Sequence, residues 1–252
     1  MERDYQYNYS EIKPAVFDSA KLSRKAETIV RVCADYAGRE ALAQLELLDV
    51  GSSSGIIDNC LAEHFGDVLG MDIDATAMAH AQQTFAKPNL HFRPGDAMQL
   101  PLDDNCRDVV VCTQIYEHVP DAAQMFREIY RVLRPGGFCY FAGNNRIMWM
   151  EPHYRLPLLS VIPRPLAHQY MRLAGRGDHY HELHFTPRAL RRLCAQFELV
   201  DYTATVTADP ERFGVDYMLP PGSAARLAAG LLTRFALWAS PMIWILRKPG
   251  AQ

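Results

Sequence analysis

The 252 residues carry 26 Lys and Arg against 29 Asp and Glu, a net charge of −3, and 49% of them are hydrophobic. That balance belongs to a globular chain with ample apolar material for a core, and its mild acidity excludes bulk nucleic-acid binding, which draws on a basic excess. The six cysteines form no Cys-x-x-Cys pair and read as reduced core thiols, not as a disulfide framework.

Residues 1–10 are polar and tyrosine-rich, without the apolar stretch of a signal peptide, so a cytoplasmic location is expected. Residues 5–18 read as an irregular arm, with Tyr5, Tyr7 and Tyr9 alternating along it. A helix is predicted over 20–37, its apolar face carrying Leu22, Ile29, Val30 and Cys33, and its solvated face Lys21, Arg24 and Lys25. The run 47–50 then breaks into Gly51-Ser52-Ser53-Ser54-Gly55 and opens a helix at Ile56. This is the pattern of a buried parallel strand whose tight turn lets backbone approach a ligand.

Three chemistries share such a turn. The dinucleotide motif Gly-x-Gly-x-x-Gly wants glycine where Ser53 stands. The elbow Gly-x-Ser-x-Gly is matched by Gly51, Ser53 and Gly55 and would make Ser53 the nucleophile of a hydrolase, although in that fold several strands precede the elbow. The third pairs the turn with Asp72, which ends a second strand over 67–72. That lies about 20 residues on, where a strand–turn–helix–strand unit returns a carboxylate to a ribose edge.

Asp74 is a predicted N-cap for a helix over 75–86. A third strand over 90–93 leads to Gly95-Asp96-Ala97-Met98, so Asp96 and Asp72 point into one crevice at the carboxyl ends of the strands. Residues 107–113 form a fourth, doubly covered strand. Gln114-Ile115-Tyr116-Glu117-His118-Val119 leaves its end, and Pro120 and Asp121 start a helix. Arg134-Pro135-Gly136-Gly137 reads as a turn before a fifth strand over 138–142. From 144 to about 180 the chain is irregular and proline-broken, with Trp149, His153 and Tyr154. Thr186-Pro187 starts another helix. A sixth strand is predicted over 197–207, a helix over 223–238 and a seventh strand over 242–247. The apolar stretch 227–246 has the length of a bilayer span, but Arg234 and Ser240-Pro241 argue against one; its helix either packs or rests on a membrane surface.

On Asp49-Val50-Gly51-Ser52-Ser53-Ser54-Gly55, Asp72, Gly95-Asp96, Glu117-His118-Val119 and the Arg-Pro-Gly-Gly turn, the chain resembles the class I S-adenosyl-L-methionine (SAM) dependent methyltransferases from about residue 47 to 143. Its motifs sit in the small-molecule branch with the ubiquinone and menaquinone biosynthesis enzymes. The resemblance implies an α/β fold with a doubly wound, seven-stranded, Rossmann-like sheet of order 3-2-1-4-5-7-6, the last strand antiparallel, and an insertion after strand 5. It implies one domain, with an arm and helix (1–40), a SAM-binding core (41–143), an insertion covering the substrate (144–185) and the remainder of the sheet (186–252).

The cofactor residues it implies are Asp49, Gly51, Ser53 and Gly55 toward the amino-acid part, and Asp72 with Ile73 at the ribose. Asp96 and Ala97 belong to the adenine, and Thr113, Glu117 and His118 to the methionine side. No Mg²⁺-type acidic cluster, helical His-Glu-x-x-His or base-gripping Asn-Pro-Pro-Tyr is present, so neither a metal nor a nucleic-acid substrate is expected. His153, His181 and His184 are the candidate general bases, because imidazole titrates near working pH. The expected acceptor is a small molecule or lipid-linked compound, methylated on O or C before N. Peripheral membrane contact would run through 223–240. A non-catalytic SAM-binding module is the alternative, the hydrolase the third.

Overall fold

The computed structural model describes residues 4–12, 14–224, 226–227 and 242–250. Its sheet comprises β1 (Glu46–Val50), β2 (Asp67–Asp72), β3 (Leu90–Pro94), β4 (Arg107–Thr113), β5 (Leu133–Gly143), β8 (Glu198–Asp201) and β9 (Met242–Arg247), with a small pair, β6 (Met150–Glu151) and β7 (Leu156–Pro157), lying apart from it. The order is β3-β2-β1-β4-β5-β9-β8. β1 to β5 run parallel, and β9 runs antiparallel to both β5 and β8. Order and strand sense agree with the sequence-based expectation. Because the chain steps from β3 at one side to β4 at the other side of β1, a crevice opens over the carboxyl ends of β1 and β4.

The apolar strands are covered on both faces, as parallel strands require. Leu47, Leu48, Val109, Val110 and Val111 are fully buried. Against one face pack Ile29, Val32 and Cys33 of the helix Ser19–Ala37 together with Met78 and Ala81 of the helix Ala75–Thr84. Against the other lie Met125, Phe126, Ile129 and Val132 of the helix Ala122–Val132. Asp74, Asp121 and Thr186 cap their helices as the sequence predicts, each accepting from a backbone N–H three residues on. A separate small core of Leu156, Leu159, Ala167, Met171 and Tyr180 holds the insertion that follows β5.

Three boundaries differ from expectation. The Arg-Pro-Gly-Gly turn is absorbed into β5 as a bulge, the register jumping from Arg107 opposite Leu133 to Val109 opposite Phe138. Its glycines are held by Lys248, whose backbone accepts from Gly136 and donates to Gly137. The sixth strand of the sheet ends at Asp201, not near Thr207, because Asp201 accepts from Thr203 N–H at 3.0 Å and turns the chain into the helix Thr203–Ala208. The N-terminal arm is not irregular but folds as short helical turns, Asp4–Tyr7, Tyr9–Ile12 and Pro14–Phe17. Most of the tail helix expected over 223–238, and with it the membrane-contact segment, lies outside the described residues.

Candidate active site

The site begins at the turn after β1. Gly51 (φ +86°) and Gly55 (φ +75°) adopt left-handed backbone, and Ser53 shares it at φ +51°. At Gly51 the requirement is also steric: a Cβ there would lie 2.1 Å from Ile115 Cδ1. The turn is tied to the end of β2, since Gly51 N–H donates to Met71 O at 2.7 Å and Ser53 N–H to Asp72 Oδ2 at 2.9 Å. Asp72 Oδ1 accepts from Asp74 N–H, also at 2.9 Å. Burial raises the Asp72 pKa, opposed by those two N–H groups. One strand further out, Asp96 Oδ1 accepts from Met98 N–H at 2.9 Å and fixes the turn after β3.

Two acids lie under the turn with buried carboxylate oxygens that find no hydrogen-bond partner by geometry among the described residues. Asp49 keeps Oδ1 unpaired, and Asp58 keeps both carboxylate oxygens so. Burial first, and then neighbouring carboxylates, push both pKa values up, Asp49 to about 8.

A cavity of about 760 Å³ opens over these elements, within the range of roughly 300–1,000 Å³ usual for ligand sites. Of the sequence-predicted residues, Gly51, Ser53, Asp72, Ile73, Asp96, Ala97, Thr113, His118 and His153 line it. The other five stand back from it. Asp49 is buried beneath the turn, and Gly55 starts the helix Ile56–Leu61 against Phe92 and Ala81. Glu117 is fully buried, its carbonyl accepting from Leu183 N–H. His184 is buried against Tyr116 and Glu151, and His181 lends its carbonyl to Arg164. Thus, of the three candidate bases, His153 alone borders the cavity.

His153 Nδ1 sits 2.6 Å from Glu151 Oε1. Burial alone would raise Glu151, but hydrogen bonds from His153 and His184 outweigh it and hold the carboxyl down at about 2. The His153 pKa is raised in turn, the effect of Glu151 and neighbouring acids exceeding that of burial. No metal is expected from the sequence, yet the fold brings Glu117, His118 and His153, and likewise Glu151, His153 and His184, within metal-ligating distance of one another.

Some lining residues escape sequence-based reasoning. Lys25, taken as part of a solvated face, turns inward and donates to Gln114 Oε1 at 2.7 Å. Its helical spacing with Lys21, Thr28 and Ile29, which also line the cavity, is the signal that could have found it. Gln114 holds φ +58° at the end of β4, a strained backbone of the kind found at functional sites. The N-terminal turns form a strap: Ser10 donates to Asp74 Oδ2 through N–H (2.8 Å) and Oγ (2.7 Å), Ser54 Oγ donates to Val16 O, and Gln6 donates to the carbonyl of His118.

Residues 48–141 match the family model of a methyltransferase domain. A ubiquinone biosynthesis O-methyltransferase of Hydrogenovibrio crunogenus is 29% identical over 161 residues, which is 62% of this chain and 63% of that protein. A protein of Mycolicibacterium smegmatis named as a probable S-adenosylmethionine-dependent methyltransferase is 37% identical over 121 residues, 48% of this chain and 46% of its own. The chain thus spans less than two thirds of either relative. The crystal structure of an S-adenosylmethionine-dependent methyltransferase from Mesorhizobium loti superposes with a TM-score of 0.53 at 19% identity, covering 85% of this chain and 96% of that one. Sheet order, glycine turn and the domain matched over residues 48–141 are those of the class I SAM-dependent methyltransferases, a family that the chain resembles and whose cofactor is SAM. The residues present fit that cofactor: carboxylates stand at the tips of β2 and β3, on either side of a turn that only a side-chain-free Gly51 can make.

Proposed function

We propose that the chain transfers the methyl group of SAM to an oxygen or carbon atom of a small-molecule or lipid-linked acceptor, as one domain in which residues 144–185 shape the acceptor end. The observation that carries this is one continuous cavity. It joins Asp72 and Asp96 at one end to His153, Asn144 and the apolar side chains of Tyr140 and Ile243 at the other. When bound, SAM supplies a methyl group on a cationic sulfonium, a ready electrophile.

The chain's task is then alignment and exclusion of water. Asp72 accepts from the ribose hydroxyls, Asp96 and the backbone of Ala97 meet the adenine, and the turn from Gly51 to Gly55 carries the amino-acid part. Activation of a hydroxyl acceptor falls to the His153 end, where Glu151 backs the ring. The O-methyltransferase relative supports oxygen as the acceptor atom. The hydrolase reading lacks its base: no histidine hydrogen-bonds Ser53 among the described residues, and its N–H is engaged by Asp72.

The test is incubation with tritiated SAM and a panel of catechols, hydroquinones and prenylated phenols, with products identified by mass spectrometry. Transfer to a member of the panel is expected. SAM binding with no transfer to any acceptor, in cell extract included, would leave a cofactor-binding module in place of an enzyme.

A further inference from the structure

The fold gathers three acids and several histidines at the acceptor end of the cavity, and alignment of SAM uses none of the acids. Glu117 and Glu151 are fully buried and Glu182 is 2% exposed. Where Glu151 and Glu182 form ion pairs, they do so with imidazoles: Glu151 with His153 and His184, Glu182 with His118. So many buried carboxylates are costly without a compensating cation. Among the described residues Glu117 Oε2 and Glu182 Oε2 accept no hydrogen bond, while Tyr154 interacts with the Glu182 carboxylate.

The geometry is that of a ligand set. Glu151 Oε1 is 2.6 Å from His153 Nδ1 and 3.4 Å from His184 Nε2, and all three atoms fall within 4.8 Å of one another. Donors bound at about 2.0–2.2 Å to one ion stand roughly 3–3.5 Å apart, so small side-chain shifts suffice. His153 also belongs to the second such group, with Glu117 and His118. Glu117 thus stands beside His153, though it is not grouped with Glu151 or His184.

We infer that Glu151, His153 and His184 bind a divalent transition-metal ion. Two imidazoles with a carboxylate select Zn²⁺, Mn²⁺ or Fe²⁺ over Mg²⁺ and Ca²⁺, which take oxygen ligands. The consequence for chemistry rests on the methyltransferase reading above. His153 borders the cavity, with Glu151 and His184 buried behind it, so the proposed ion would stand at the wall of the acceptor end. A hydroxyl that ligates it loses its proton to solvent near neutral pH and keeps the electron pair as a metal-bound oxyanion. That oxyanion then bonds the methyl carbon as the carbon–sulfur bond breaks. His153 serves as ligand in this scheme, in place of the base its sequence context suggests, and the acceptor class narrows to phenols and catechols.

The experiment is calorimetric titration of the full chain, stripped with EDTA and then freed of it, with ZnCl₂, and separately with MnCl₂ read by electron paramagnetic resonance. One ion per chain is expected, and at least tenfold weaker binding in His184→Ala and Glu151→Gln, with His64→Ala unchanged. SAM binding is measured on every variant. If His184→Ala loses its fold, His153→Asn at the cavity edge replaces it. Zinc affinity equal in wild type and variants that still bind SAM would overturn the site, as would binding of neither Zn²⁺ nor Mn²⁺. Metal bound by a chain that binds no SAM would uphold the metal site while removing the methyltransferase reading.

Discussion

Among single side chains, Asp72 carries the most. It joins the glycine turn to β2 through Ser53 N–H and lines the cavity, so one carboxylate both shapes the turn and stands where the proposed function puts the ribose. Hydrogen bonds to a charged group are each worth about 1.5–3 kcal/mol, so Asp72→Ala should weaken SAM binding roughly 10- to 100-fold by calorimetry. Unchanged affinity would remove the assigned contact. Asp58 makes the opposite case, since nothing in the sequence marks it. Its burial arises from the packing of its helix under Gly70, where a Cβ would stand 2.7 Å from Asp58 Oδ1. Burial raises the Asp49 and Asp58 pKa values in the folded state above the ordinary 3.8 that the unfolded chain keeps. The folded state then binds more protons, so stability falls as pH rises from about 4 toward about 8. Asp58→Asn, neutral throughout, should flatten that decline and raise Tm at pH 8 by about 3 °C or more over wild type. Parallel Tm–pH curves for the two proteins would show that Asp58 is ionised in the fold.

Among elements, the turn after β1 shows what local sequence specifies and what it leaves out. Glycine at 51 and 55 made the turn legible, because only a missing side chain meets both the backbone angle and the close approach. What fills the space beside Gly51 was not legible, for Ile115 arrives from the end of β4. Gly51→Ala should therefore destabilise the chain by more than the roughly 1–2 kcal/mol of left-handed alanine alone, adding the clash with Ile115 Cδ1. In Gly51→Ala/Ile115→Ala the clash term should return and the backbone term persist, as read by urea unfolding. Full rescue would mean that the backbone angle costs nothing. The same division explains the boundary differences. β2 and β4 run between the predicted residues because buried apolar strands are continuous in sequence. By contrast, β8 stops early through one Asp201 side chain, and the N-terminal strap takes its form from Asp74, Ser54 and His118 far along the chain.

For the molecule as a whole, the decisive feature is that β9, almost the last segment of the chain, lies inside the sheet between β5 and β8. Periodicity makes 242–247 a strand, but an apolar run carries no information about its neighbours, and its place was legible only through the family resemblance. Trp244, Ile245 and Leu246 are buried to 1% or less, so the sheet is complete only once this strand enters it. Lys248 then locks it. Its Nζ donates to Asn105 Oδ1, Tyr130 O and Leu133 O, each at 2.8 Å, and stands 4.6 Å from the centre of the Tyr130 ring. Lys248→Met keeps the apolar stem and leaves three acceptors without their donor. At about 1–3 kcal/mol for each buried group left unmade, and with water able to reach part of the site, the loss should come to roughly 2–4 kcal/mol. For a chain of this size that lowers Tm by about 5–12 °C. Because the clamp closes the whole sheet and not one loop, Trp244 near-ultraviolet dichroism and far-ultraviolet helicity should fall together in a single transition. Separate transitions, or a Tm within 1 °C of wild type, would show that the C-terminal strand holds its place without the lysine.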